Sequence, residues 1–153
     1  MNCEELFDKI SGIEDRFTAL ERPLPNRIYM TCEAENVYEL NRFLFEDLGL
    51  RFVIASGCDP GGYFEVIYHY AYDPEGCLVN LRVLVRNREN PVLDSIAPLL
   101  PAASWIEREI NDLLGIDFRN HPDMRRLILA DDWPEGVYPL RKDTKVAGGG
   151  VEK

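Results

Sequence analysis

The chain has 153 residues, 46% of them hydrophobic and 29% charged, enough for one domain with a real core. Its formal net charge of −10 argues against a generic nucleic-acid binder, which needs a basic face. No apolar run approaches the ~18 residues of a membrane span, and the start, Met1-Asn-Cys-Glu-Glu-Leu6, lacks the basic and apolar regions of a signal peptide, so a cytoplasmic location is expected.

Leu6, Ile10, Ile13, Phe17 and Leu20 recur at helical spacing, which predicts one amphipathic helix with Asn2 as N-cap and Pro23 beyond its end. Arg27–Glu33 alternates, with Ile28, Met30 and Cys32 on one side, as a half-buried strand does. Asn36–Leu48 returns to helical spacing and ends at Gly49. Leu50, Phe52 and Ile54 open a second strand. The stretch Ser56-Gly-Cys-Asp-Pro-Gly-Gly62 reads as a loop without the spacing of a phosphate-binding loop.

Tyr63–Tyr72 and Cys77–Arg86 are strands joined across Asp73-Pro-Glu-Gly76 as a hairpin. Phe64, Val66, Tyr68, Tyr70 and Tyr72 share one face, read as core or interface. His69, on the other face, reads as a hydrogen-bonded polar residue rather than a ligand. Pro91, Pro98 and Pro101 leave room only for a helical turn around Leu93–Ala97.

Ser104–Leu114 is the most charged helix, closed by Gly115. Helical projection puts Trp105, Ile106, Ile110, Leu113 and Leu114 on one face, with Glu109 inside that apolar arc. A carboxylate there needs a partner, and Arg119, Arg125, Arg126 and Arg141 are candidates. Ser104 and Glu107 have capping-box spacing, and Arg108 and Asp112 that of a surface i,i+4 pair. Beyond residue 130 two prolines and many charges preclude regular structure. Trp133, Val137, Tyr138 and Leu140 nonetheless predict an arm that folds against something. The acidic excess lies in residues 1–118; residues 119–153 are slightly basic. Residues 1–118 are therefore taken as the folded domain, 119–147 as the arm and 148–153 as a flexible tail.

An active site within this chain is not favoured. Glu107 and Glu109, at i,i+2, do not converge as an acid–base pair, and a Cys–His pair would need Cys58 or Cys77, neither visibly activated. The cysteines Cys3, Cys32, Cys58 and Cys77 form no Cys-x-x-Cys pair, so no iron–sulfur or zinc site held by this chain alone is expected. An assembly subunit fits better, with the ion-pair network behind an aromatic strap.

Glu107-Arg-Glu-x-x-Asp-Leu-Leu-Gly115, then His121-Pro-Asp-x-Arg-Arg-Leu127, Asp131-Asp-Trp133 and Pro139-Leu-Arg-Lys-Asp143 carry a resemblance. Upstream, Tyr63-Phe-Glu-Val-Ile-Tyr-His69, Leu81-Arg-Val83 and Asn90-Pro-Val-x-x-Ser95 extend it. Over residues 50–143 the chain resembles the 30-kilodalton subunit family of respiratory complex I, which also serves in membrane-bound energy-converting nickel–iron hydrogenases. The resemblance implies an α+β fold, a single two-layer domain with a mixed sheet packed by helices, plus an extended C-terminal arm on a large subunit. That partner would resemble the 49-kilodalton subunit or the nickel-bearing hydrogenase subunit.

It also implies a cofactor-free accessory subunit that joins the catalytic and iron–sulfur subunits, on the cytoplasmic face of the membrane and held there only through the complex. Interface or ion-pair roles then fall to Glu107, Arg108, Glu109, Asp112, His121, Asp123, Arg125, Arg126, Trp133, Tyr138, Arg141, Lys142 and Asp143. Complex I members usually carry an aromatic at Asn111, an aromatic or Met at Leu114, Gly at Asn120, and Gly-His-Pro-Leu where this chain reads Gly136-Val-Tyr-Pro-Leu140. These departures favour the hydrogenase and formate-hydrogenlyase branch over a genuine NADH:quinone oxidoreductase. An independent soluble enzyme is the remaining alternative.

Overall fold

The computed structural model describes residues 1–144. The expected flexible tail and the last residues of the arm, 145–147, lie outside them.

Asn2 caps helix α1 (Cys3–Ser11) in a full capping box with Glu5. The helix stops at Gly12 instead of running on to Leu20. Ile13 and Phe17 pack on the core from the turn that follows, and Leu20 belongs to strand β1 (Ala19–Leu24). The four-three spacing had joined an inward helix face to an inward strand position. Strand β2 (Arg27–Glu33) keeps its alternation, with Ile28, Met30 and Cys32 fully buried. Helix α2 (Val37–Arg42) loosens into a π-helical turn over Phe43–Asp47, and Gly49 takes the left-handed conformation at its end. Asn41 ties it to the sheet, accepting from the Tyr70 hydroxyl at 2.6 Å and donating to the Val37 carbonyl at 2.7 Å.

Strand β3 (Arg51–Cys58) is longer than expected, since Ser56, Gly57 and Cys58 pair with β4 rather than forming loop. Gly57 is there for proximity. A Cβ would meet Leu114 Cδ1 at 2.8 Å, so glycine lets a later helix, α3 (Ala103–Leu114), lie close against the strand. Strands β4 (Phe64–Tyr72) and β5 (Cys77–Val85) form the expected hairpin around a left-handed Gly76. His69 is a hydrogen-bonded polar residue, with Nδ1 at 2.7 Å from Asn80 Oδ1 and Nε2 at 3.2 Å from Ser56 Oγ.

The sheet order is β1-β2-β5-β4-β3, mixed because β2 and β5 run parallel. The core face carries Met30, Leu81, Val83, Val66, Tyr68 and Tyr70, with the helices packed on it. Leu93 sits not on a helical turn but on strand β6 (Val92–Asp94), which pairs in parallel with β7 (Asp117–Arg119) after α3. The helical turn comes later, where the Leu100 N–H donates to the Ile96 carbonyl. The result is the α+β architecture expected, a mixed sheet packed by helices.

Candidate functional site

Helix α3 begins at Ala103, one residue early, and has no side-chain cap. Ser104 is already inside the helix, and its hydroxyl lies 3.2 Å from His121 Nε2. The capping box with Glu107 does not form, and Glu107 is the carboxylate that is fully buried. The buried stripe runs Ala103–Glu107–Ile110–Leu114, whereas Trp105, expected on the apolar face, is 68% exposed.

The Glu107 carboxyl accepts the Ser95 hydroxyl at 2.5 Å and the Ile96 N–H at 2.7 Å. These bonds tie α3 to the turn after β6. Burial pushes the Glu107 carboxyl up to about 7, against the two donors, which favour its charged form. His121 Nε2 stands 3.8 Å away, also fully buried. His121 Nδ1 accepts the Asp123 N–H at 2.9 Å, which assigns the ring proton to Nε2, 3.0 Å from the Ser104 carbonyl. Asn120 has φ +64° and makes the left-handed turn that brings His121 in. The Tyr68 hydroxyl is buried without a protein partner, and burial, with the Glu107 charge behind it, raises its phenol well above the ordinary value.

A second stripe of α3 holds the arm. Asp112, expected to pair with Arg108, is buried and accepts the N–H groups of Leu127, Ile128 and Leu129 at 2.9, 2.7 and 3.1 Å. Arg108 donates instead to the carbonyls of Arg125 and Arg126. Arg126 in turn donates to the carbonyls of Ala130 and Trp133, and the Trp133 indole donates to the Val137 carbonyl at 2.8 Å. Arg125 pairs locally with Asp123, holding that carboxyl well below the usual range.

The arm then closes over the C-terminus of α3. Gly115, at φ +71°, would place a Cβ 2.5 Å from the Tyr138 ring and 2.7 Å from Arg141 Nη2. Arg141 donates to the Leu114 carbonyl at 2.6 Å, satisfying an orphan helix end, and its guanidinium lies over the rings of Phe64 and Tyr138. Asp59 completes the closure. It takes a two-pronged bond from Arg88 and accepts the Lys142 N–H at 3.0 Å. Arg88, first, and the N–H groups of Lys142 and Gly61 hold its carboxyl down at about 2. The Lys142 ammonium reaches the Pro60 carbonyl, and Asp143 lies 3.4 Å from Arg88.

Glu109 therefore differs from expectation. It is half-buried on a third stripe, with Trp105 and Leu113, at the rim of a cleft beside β3. Among the described residues neither Arg119, Arg125, Arg126 nor Arg141 reaches it; Arg119 pairs with Asp94. Sequence reasoning gave no role to Ser95, Asp59 or Arg88. The Asp59-Pro-Gly61 turn, whose Gly61 N–H donates to Asp59, was the readable signal for one of them.

Among the described residues, no three His, Cys, Asp or Glu side chains gather closely enough to hold a metal ion. Among the same residues no helix is long and apolar enough to cross a membrane. What the arrangement does chemically is fix main-chain atoms: the motif's carboxylates and guanidiniums bind mostly amides and carbonyls, giving an irregular segment a defined path.

Comparison with known proteins extends these observations. Residues 30–149 match the family described as respiratory-chain NADH dehydrogenase, 30 Kd subunit. Hydrogenase-4 component G of Escherichia coli (strain K12) is 35% identical over 129 residues, 80% of this chain. The chain spans only about a quarter of that relative, 23% of its length. The membrane-bound hydrogenase subunit beta of Pyrococcus furiosus is 36% identical over 124 residues, covering 78% of this chain and 70% of that protein. A chain in the structure of the membrane-bound sulfane sulfur reductase, an archaeal respiratory membrane complex, shares the fold. It superposes with a TM-score of 0.80 at 21% identity, over 94% of this chain and 86% of that one.

Proposed function

Because this chain belongs to the respiratory-chain NADH dehydrogenase 30 Kd subunit family, we propose that it is an accessory subunit of a complex I-like oxidoreductase, of the membrane-bound energy-converting nickel–iron hydrogenase type. In this reading it carries no redox cofactor. It joins a large subunit, resembling the 49-kilodalton or the nickel-bearing hydrogenase large subunit, to the iron–sulfur subunits that hold the clusters. It lies on the cytoplasmic side and meets the membrane only through the complex.

The carrying observation is what the family motif does here. Arg108, Asp112, Arg126 and Arg141 bond to main-chain groups and so shape the arm as a surface. Similarity to hydrogenase subunits in two organisms supports the branch. The family's description favours a second reading, the 30-kilodalton subunit of a genuine NADH:quinone oxidoreductase. Affinity purification of the chain from its native host tests both. Recovery with a large subunit bearing nickel-binding cysteine pairs supports the first, and with one lacking them the second. Recovery as a lone chain sinks both.

A further inference from the structure

The two edges of the main sheet are built differently. Strand β1 is blunted by Pro23, by Glu21 and Arg22, and by a bulge between Glu21 and Leu24. Strand β3 has no proline, and after a bulge between Phe52 and Ile54 it runs in regular register to Cys58. Among the described residues its backbone bonds go to β4, and its outer edge pairs with no other strand. Natural sheets rarely leave such an edge bare, because unpaired N–H and C=O groups template another strand.

That edge opens into a cleft of about 250 Å³. Four consecutive residues, Ile54–Gly57, form one wall. Since successive side chains point to opposite faces, a wall of four in a row presents the edge of the strand, not one face. The opposite wall is α3, through Glu109 and Leu113, with Leu140 of the arm above. Apolar surface is exposed on both sides: Ile54 at 44% and Leu140 at 56%. Trp105 and Glu109 sit four residues apart on the same stripe, and Glu109 has no cation among the described residues.

We infer that the cleft is the seat of an extended segment of a partner subunit, which adds as a strand to β3 and carries a lysine or arginine flanked by apolar residues. The main chain pairs over about four residues, roughly 13 Å at strand rise. The apolar side chains cover Ile54, Leu113 and Leu140, and the cation meets Glu109 and the Trp105 ring. Charge complementarity selects a basic occupant: Glu109 stands at an apolar cleft with no cation partner among the described residues, and a lysine or arginine on the inserted segment supplies one. The inference rests on the chain being a subunit of a complex, and it names what that complex inserts here.

The test uses the full chain in its native host with a photo-cross-linking benzoylphenylalanine at Ile54 and, as a control, at Glu21 on β1. The expected adduct at Ile54 maps to a partner-subunit segment with a basic residue between apolar ones, and Glu21 gives no such adduct. Glu109→Arg is expected to lower recovery of the complex by about tenfold or more while thermal unfolding of the free chain stays unchanged. Charge reversal of the cross-linked basic residue should restore recovery. An adduct to a second copy of this chain, or to its own residues 145–153, overturns the inference. So does an intact complex without an Ile54 adduct, or full recovery with Glu109→Arg. A lone chain overturns the subunit reading as well, so the two failures are distinguishable.

Discussion

The Glu107 carboxyl accepts the Ser95 hydroxyl at 2.5 Å, and neither residue is open to solvent. One residue is on α3 and the other at the turn after β6, so this bond, with the Ile96 N–H beside it, fixes how the signature helix meets the small second sheet.

Burial holds Glu107 at about 7 in the folded chain against an ordinary 4.5. Between those values the folded state keeps a proton that the unfolded state has lost, so stability falls as pH rises through this window. The full loss, present above pH 7, is on the order of 3 kcal/mol. Glu107→Gln should abolish the decline and leave the variant at least as stable as the parent at pH 8. Denaturant unfolding from pH 4.5 to 8 checks this; an unchanged slope in the variant would place the titration elsewhere.

Asp112 serves three consecutive amides of the arm. Asp112→Ala should cost about 2–4 kcal/mol where those donors stay buried. Hydrogen exchange should show the loss at Leu127, Ile128 and Leu129 while the amides of α3 keep their protection. Uniform loss across both would instead make Asp112 part of the core.

Gly115→Ala meets two obstacles, a left-handed backbone costing roughly 1–2 kcal/mol and the Tyr138 ring where its Cβ would stand. The arm should lift from α3, seen as faster proteolysis at Arg141 and Lys142 and a shift in Trp133 fluorescence. Adding Tyr138→Ala should remove the ring collision but neither the backbone cost nor the contact with Arg141 Nη2, so the double variant should recover part of the stability and still leave the arm cleavable.

Arg88 holds Asp59 at about 2, below its ordinary 3.8. A depressed carboxylate contributes its stability above the unfolded value and loses it as pH falls from about 4 towards 2. Asp59→Asn should therefore cost about 2 kcal/mol at neutral pH and flatten the acid limb of unfolding over that interval. It should also free residue 142 to exchange, because the Lys142 N–H loses a charged acceptor.

Much of this molecule was legible where one period governed one element. The β4–β5 hairpin, β2 and the cap at Asn2 followed from alternation and turn chemistry. The helix α3 is legible, and Ile110 and Leu114 of its expected apolar face are buried, but the buried stripe is rotated away from Trp105 and centred on Glu107. Ala103, Glu107, Ile110 and Leu114 are also spaced four, three and four, but Glu107 has capping-box spacing from Ser104, which points it to the polar side. What decided the matter is nonlocal: Ser95 and Ile96, a dozen residues away, supply the donors that let Glu107 be buried. The same holds for the arm, whose bonds to Asp59 cross more than eighty residues. No window of sequence contains both ends of such a contact.

Four of the side chains that hold the arm share one property. Arg108, Asp112, Arg126 and Arg141 reach carbonyls and amides rather than the side chains of residues 125–133 or the helix end. Main-chain groups are the same whatever residue bears them. The joint therefore specifies a route through space, and where the main chain alone is gripped, as at Leu127, Ile128 and Leu129, the fastening makes no demand on which side chain the arm displays.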